Sequence, residues 1–180
     1  MPSVANEMLT HQGPARVFDS EADTVMAIRT QQIRPGDVLV IRYQGPKATG
    51  MPEMFYPSEL LASHPVLSRT TALVTDGRFS GATKGPCIGY ITPEALNGGP
   101  LAAVHEGDLI RIDIPQRRLD LLNSEGDVER GSTLIRSRLE GWKAPLNQRT
   151  GILEVLRHLM GPALNGACLE APPGTGMESR

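Results

Sequence analysis

The sequence has few of the residues that build metal clusters. Only two cysteines, Cys87 and Cys168, occur in 180 residues, and they lie far apart along the chain. A local C-x-x-C clip for a metal or a redox centre therefore cannot form. The four histidines include no pair at positions i and i+4, so no helix face offers two imidazole ligands. This chain alone cannot build a thiolate-held cluster, and an all-histidine metal site is disfavoured.

The sequence also lacks an excess of charge of one sign and any long hydrophobic run. Its 18 basic and 20 acidic residues give a formal net charge of −2, whereas nucleic-acid binding relies on an excess of Lys and Arg. Apolar runs reach about five residues, against the roughly 18 to 20 that span a bilayer. The first seven residues have no signal-peptide character. We therefore expect a cytoplasmic protein that binds neither nucleic acid nor membrane.

What is present is the composition of an ordinary globular domain. Apolar residues make up 39% of the chain and charged residues 21%, and a chain of this length suits one core. We expect an irregular segment over 1–12, one domain over 13–167 and a disordered tail over 168–180.

The hydrophobic periodicity predicts a mixed, β-rich α/β fold. Strands do not alternate strictly with helices, which favours a small barrel-like sheet or sandwich with flanking helices. Ser20 is the expected N-cap of the first helix. The predicted elements are helices over 20–30, 127–140 and 150–160, strands over 38–43, 71–75 and 87–91, and a hairpin of 107–114 with 118–122.

Two glycine-rich connections follow predicted strands, where functional sites are commonly assembled. The first loop covers residues 45–54 and the second loop covers residues 75–85. Glycine allows positive φ and a close approach of the backbone to a ligand. Amides near Ser80 and Gly81 are therefore candidates for binding an anion such as a carboxylate. Glycine-rich turns also occur as plain connections in β proteins, so a purely structural interpretation stays open.

Ser80 is the candidate nucleophile or base of the second loop. Arg78 stands where a G-x-S-x-G elbow needs glycine, which disfavours a hydrolase. No histidine lies nearby in sequence, so activation of Ser80 requires a cation, either a metal ion or the side chains of Arg78 and Lys84. The alternative is a hydroxyl that caps its own turn.

Two carboxylates in the loops have alternative interpretations. Glu53, at the end of the first loop, suits Mg²⁺, which prefers oxygen ligands and takes one or two protein carboxylates. It is equally typical of a solvated acid or a charge at a helix N-terminus. Asp76 fits a side-chain brace of a turn.

Several motifs occur in a fixed order along about 13–166. They are GPARVFDS at 13–20, the two loops, TPEA at 92–95 and GGPLA at 98–102. Together they resemble the C-terminal domain of the dihydroxy-acid dehydratase and sugar-acid (phosphogluconate) dehydratase family. The ending, from 149–153 through 161–167, is also similar to that of the family.

The resemblance implies a swivelling β/β/α domain that closes over a larger N-terminal domain with an iron–sulfur cluster and Mg²⁺. Ser80 matches the serine proposed to remove, as an alkoxide, the C2 proton of a 2,3-dihydroxy acid. Glu53 matches a carboxylate that helps to bind Mg²⁺. Gly81, Thr83 and Arg78 are expected to contact the substrate. The enol product tautomerises to a 2-keto acid.

The chain departs from the family pattern in three ways. The cluster cysteines belong to the N-terminal domain, so we expect a fragment, a truncated copy or one subunit of a split enzyme, inactive alone. The first loop is one residue shorter than in many members of branched-chain amino acid biosynthesis and closer to the sugar-acid members. Tyr90 stands where many members carry histidine.

These features leave two hypotheses. In the first, the chain completes a dehydratase whose partner is an N-terminal iron–sulfur domain or subunit, and the complete enzyme is a homo-oligomer. An exposed apolar face is then expected where that partner docks. In the second, the chain is a non-catalytic anion-binding or regulatory module derived from the same fold.

Overall fold

One six-stranded sheet, curled into a half-barrel, organises the chain. The computed structural model describes residues 4–123, 125–145 and 151–170. Its strands are β1 (Thr10–Phe18), β2 (Val38–Ile41), β3 (Ala72–Thr75), β4 (Cys87–Ile88), β5 (Leu109–Asp113) and β6 (Arg118–Leu122). Its α-helices are α1 (Glu21–Arg29), α2 (Pro46–Thr49), α3 (Phe55–Ser63), α4 (Val128–Leu139) and α5 (Ile152–Leu159).

The strand order is β4-β3-β2-β1-β5-β6, and the first four neighbours run parallel. Strands β5 and β6 form the predicted hairpin, and β5 lies antiparallel to β1. Side chains alternate across a strand, and β2 shows this clearly. Val38 and Val40 join one core with α4, whereas Leu39 and Ile41 join a second core with α1 and α3. The fully buried β2 therefore separates two cores.

The predicted helices are confirmed, with ends close to those expected. Helix α1 begins after Ser20, as predicted, and α4 begins after Asp127, whose carboxylate accepts a hydrogen bond from the Arg130 N–H. Helix α5 covers Ile152–Leu159, while the expected start at residue 150 lies outside the described residues. Within the described part of the chain, no helix is both long and apolar enough to cross a membrane.

The Ser20 cap gives a test of local helix stability. Its Oγ accepts a hydrogen bond from the Asp23 N–H at 3.1 Å and donates one to the Asp23 carboxylate at 2.7 Å. We expect Ser20→Ala to lower the free energy of unfolding by about 1 kcal/mol, because the first turn loses a partner for its N–H. Urea denaturation of the two chains measures the difference, and an unchanged midpoint would contradict the cap's contribution.

The structure differs from the sequence-based expectations in four places. Strand β1 begins at Thr10, inside the segment 1–12 for which irregular structure is expected. Strand β4 ends at Ile88, short of the predicted residue 91, because Tyr90 adopts a positive φ of 58°. Helix α3 was not predicted. Of the expected tail, residues 171–180 lie outside the described residues, whereas Leu169 forms a β-bridge with Met160.

Candidate active site

The two glycine-rich loops leave the same edge of the sheet. Strands β2 and β3 are parallel neighbours, so the loops that follow them start side by side. The first loop continues through α2 and then runs back along the second loop. There the Met54 N–H donates a hydrogen bond to the Arg78 carbonyl at 2.8 Å, and Glu53 and Arg78 form a parallel β-bridge. The backbone of Glu53, the candidate metal ligand, is thus paired with Arg78, which lies two residues before Ser80 in the second loop.

Arg78 ties the two loops together through its side chain as well. Its Nε donates a hydrogen bond to the Met51 carbonyl at 2.9 Å. Met51 itself has a positive φ of 57°, a conformation that non-glycine residues adopt infrequently. The guanidinium therefore supports a strained turn of the first loop. The expected contact of Arg78 with substrate stays a prediction.

Ser80 lies at the mouth of a cleft between the second loop and α3. Its Oγ accepts a hydrogen bond from the Ala82 N–H at 3.3 Å, and its carbonyl accepts one from the Thr83 N–H at 3.2 Å. The hydroxyl thus caps its own turn, which is one of the two interpretations given by the sequence. Ser80 also lines a cleft of about 440 Å³. The cleft is lined by Phe55, Ser58, Glu59, Ala62, Ser63, Ser80, Ala82, Thr83 and Lys84.

The glycines of the loops serve different purposes. Gly50 and Gly85 adopt positive φ, as the sequence analysis expects. Gly81 does not, but it is exposed, and a Cβ built there would meet open space. The backbone beside Ser80 is therefore accessible to a ligand, and Thr83 lines the same cleft. Substrate contacts of Gly81 and Thr83 stay predictions.

Glu53 fits one ligand of a magnesium site. Its side chain is partly buried, and among the described residues its carboxylate has no ion pair or hydrogen bond. An uncommitted carboxylate is the donor type that Mg²⁺ takes from proteins. The described residues contain no group of three His, Cys, Asp or Glu side chains arranged for a metal. A role of Glu53 as a magnesium ligand stays a prediction.

The cysteines do not fit an iron–sulfur cluster. Cys87 packs against the core of α1 and α3, and its Sγ donates to the Lys84 carbonyl at 3.7 Å. Burial raises the pKa of this thiol to about 12, so the thiolate that binds iron is suppressed. Cys168 is exposed and also free. Cys87 is therefore a partly buried residue packed against the core.

Two buried acids, Asp76 at the start of the second loop and Glu94 further along the chain, have more contacts than the sequence indicates. Asp76 is 0% exposed and Glu94 is 1% exposed. Burial raises the pKa of both carboxyl groups, and hydrogen bonds from backbone N–H groups oppose that rise. From the sequence, Asp76 is expected to brace a turn, and Glu94 is only part of the TPEA motif. The position of Asp76 directly after a buried strand is the sequence signal that could have marked it as a functional residue. Glu94 has no comparable signal.

Comparison with known proteins gives a consistent result. Residues 1–167 match the family model described as dihydroxy-acid/6-phosphogluconate dehydratase C-terminal. A protein of Carboxydothermus hydrogenoformans named dihydroxy-acid dehydratase is 60% identical over 127 residues, which cover 70% of this chain and 23% of that protein. Proteins of the same name from Methanothrix thermoacetophila and Acetivibrio thermocellus are 47% and 49% identical, each covering 93% of this chain and 29% of the relative. The chain thus spans less than a third of these relatives.

Proposed function

Because the chain belongs to the dihydroxy-acid/6-phosphogluconate dehydratase C-terminal family, we propose that it is the C-terminal part of a dehydratase. The complete protein removes water from a 2,3-dihydroxy acid or a sugar acid and forms a 2-keto acid. The observation that carries this proposal is the backbone pairing between the loops of Glu53 and Ser80. The loop that carries a possible magnesium ligand is thereby paired with the loop that carries a possible base.

In this proposal Ser80 acts as the base. Its oxygen, as an alkoxide, takes the C2 proton of the substrate, the C2–H electron pair forms a C2=C3 double bond, and the C3 hydroxyl leaves as hydroxide. The proton on Ser80 then passes to that hydroxide, which departs as water and restores the alkoxide, and the enol tautomerises to the ketone. Mg²⁺, held in part by Glu53, supplies the positive charge that binds substrate oxygens and favours an ionised hydroxyl. Lys84, which lines the same cleft as Ser80, adds a further positive charge.

The remaining loop residues position the substrate. The exposed backbone at Gly81 leaves room for the substrate carboxylate beside Ser80. Thr83 lines the same cleft. Arg78 contributes by holding the turn at Met51, and we propose that its remaining guanidinium nitrogens face the anionic substrate.

An iron–sulfur cluster, in this proposal, belongs to an N-terminal domain or subunit that completes the enzyme. The relatives extend well beyond the length of this chain, which supports such a partner. Exposed apolar side chains beside Glu53 also support it, since Phe55 and Tyr56 follow it closely and are 50% and 62% exposed. A homo-oligomeric complete enzyme and a cytoplasmic location stay predictions.

The relatives' name directs the choice of substrate. All the relatives described above are called dihydroxy-acid dehydratase, which favours a branched 2,3-dihydroxy acid as the first substrate to try. The short first loop keeps aldonic acids in the panel, because its length is closer to that of the sugar-acid members.

The decisive experiment measures 2-keto acid formation without oxygen. The chain is assayed alone and after mixing with the N-terminal part of the Carboxydothermus hydrogenoformans relative, its iron–sulfur content verified, against dihydroxy and aldonic acids. We expect activity only in the mixture. Silence of a folded, cluster-containing complex on every substrate would contradict the proposal and favour the non-catalytic anion-binding module, in which Ser80 only caps its turn.

A further inference from the structure

Asp76 connects three separate segments at the edge of the sheet. Its Oδ1 accepts a hydrogen bond from the Gln44 N–H at 2.8 Å, and its Oδ2 accepts bonds from the N–H groups of Tyr43 at 3.2 Å and Ala95 at 2.8 Å. The second loop, which contains Asp76, is thereby fixed to the start of the first loop and to the segment after residue 93. Such hydrogen bonds to a fully buried charge are strong, and losing one leaves a buried donor without a partner.

Glu94 holds the first loop one turn further along. Its carboxylate accepts a hydrogen bond from the Lys47 N–H at 3.1 Å, in the first turn of α2. Gly45 makes this approach possible, because a Cβ at that position would lie 2.2 Å from Glu94 Oε2. The glycine and the acid are therefore complementary parts of one contact.

We propose that Asp76 and Glu94 are positioning residues that hold the loops of Glu53 and Ser80 in one fixed arrangement. Neither acid faces the cleft that Ser80 lines. Asp76 and Glu94 fix residues 43–47, where the chain enters the first loop, and the bridge between Glu53 and Arg78 fixes the far end of that loop. The second loop contains Asp76, so the hydrogen bonds of Asp76 fix this loop as well. The inference rests on the proposed function for its catalytic meaning, but the positioning is measurable without turnover.

A positioning role has a consequence that a general stabilising role lacks. Loss of the hydrogen bonds of Asp76 or Glu94 should let the first loop open while the sheet stays folded, since local opening needs less free energy than global unfolding. Displacing a catalytic group by about 1 Å can cost about 100-fold in rate. Turnover should therefore fall more than global stability suggests.

The test is amide hydrogen exchange, measured by NMR on the full chain, for Asp76→Asn. Asparagine has one acceptor oxygen, so its NH₂ group faces at least one of the N–H donors that the carboxylate served. We expect exchange at the Gln44 and Met54 amides to rise at least tenfold more than at Ala15, whose N–H bonds to the Asp108 carbonyl in the sheet. An equal rise at all three amides, or no rise, would overturn the proposal.

A matched control separates position from charge. Asp37 is also buried, at 4% exposure, and its carboxylate accepts a hydrogen bond from the Arg34 N–H at the opposite end of β2. Asp37→Asn should leave the ratio of exchange between Met54 and Ala15 unchanged. A selective loss at Met54 in this variant would contradict a role specific to Asp76.

Two further variants test the Glu94 contact and remain informative if Asp76→Asn fails to fold. Glu94 also accepts hydrogen bonds from the Ala48 N–H and, at 3.4 Å, from the Asn97 side-chain amide, so Glu94→Gln, which has one acceptor oxygen, should also raise exchange at Lys47 relative to Ala15. Gly45→Ala displaces the Glu94 carboxylate without changing charge, and we expect faster exchange at Lys47 relative to Ala15. Unchanged exchange at Lys47 in Gly45→Ala would overturn the role of Glu94.

The assembled enzyme supplies the functional readout. If the wild-type mixture turns over substrate, Asp76→Asn should lower kcat at least tenfold while the unfolding midpoint still lies well above the assay temperature. If the wild-type mixture is inactive, the proposed function fails, whereas the exchange experiment still decides whether Asp76 and Glu94 hold the loops.

Discussion

Turnover of the assembled enzyme falls by about 10²- to 10⁴-fold when Ser80 is replaced by alanine, the range expected for loss of a general base. Ser80 lines the cleft between the second loop and α3, and alanine leaves no group there to take the C2 proton. Magnesium binding should persist, because Glu53 belongs to the other loop and is held by backbone pairing. The measurements are kcat without oxygen and the dependence of the rate on magnesium.

Stability must be separated from chemistry in this experiment, since Ser80→Ala also removes the hydrogen bond from the Ala82 N–H. Ser20→Ala is a matched control, because it too removes a hydroxyl that accepts a bond from a backbone N–H, and Ser20 caps α1 outside the cleft. We expect this control to retain full turnover. Full turnover in Ser80→Ala would instead show that Ser80 is only a turn cap.

The second large effect concerns Glu53. Replacement by glutamine keeps the size of the side chain but removes its charge, so the apparent affinity for Mg²⁺ should fall at least about tenfold. Activity should be recovered in part at high magnesium concentration, since the other ligands remain. Titration of the assembled enzyme with Mg²⁺, followed by activity and by calorimetry, measures the shift.

Glu140→Gln provides the control for charge. Glu140 is exposed at the end of α4, outside the two loops, and its loss changes the net charge by the same amount. We expect the same magnesium dependence as for the wild type. If Glu53→Gln also left that dependence unchanged, Glu53 would have to be dismissed as a metal ligand.

The parts of the fold that the sequence predicts are those stabilised locally. The hairpin of β5 and β6 has alternating apolar residues joined by a short turn, and Ser20 and Asp127 both cap helices with their side chains. In these cases local chemistry and tertiary structure favour the same conformation. The patterns therefore identify the elements and nearly their ends.

Strand β1 and helix α3 depend on distant contacts instead. Strand β1 contains Gly13 and Pro14, which are depleted in strands, but a Cβ at position 13 would lie 1.8 Å from the Gly36 carbonyl oxygen. Close packing against another segment thus requires glycine there. Helix α3 begins at Phe55, and its N-cap residue, Met54, makes no side-chain cap hydrogen bond, so no local signal marks its start.

The residues of the candidate site also differ in whether the local sequence marks them. Ser80 and Glu53 were found because their loops are rich in glycine and belong to motifs of the family. Glu94 was not singled out, because its value comes from Lys47, a residue 47 positions away in sequence. A single sequence does not show that an acid in a turn will be buried beneath another loop.

The way in which the first loop is fastened also suggests where its length can vary. Its start is held through Gln44 and Lys47, and its end is held through Met54. Between these anchors the turn at Gly50 is exposed and open. Insertions and deletions there can occur without moving Glu53 out of register, so members of this family can differ in the length of this turn while the candidate metal ligand keeps its place.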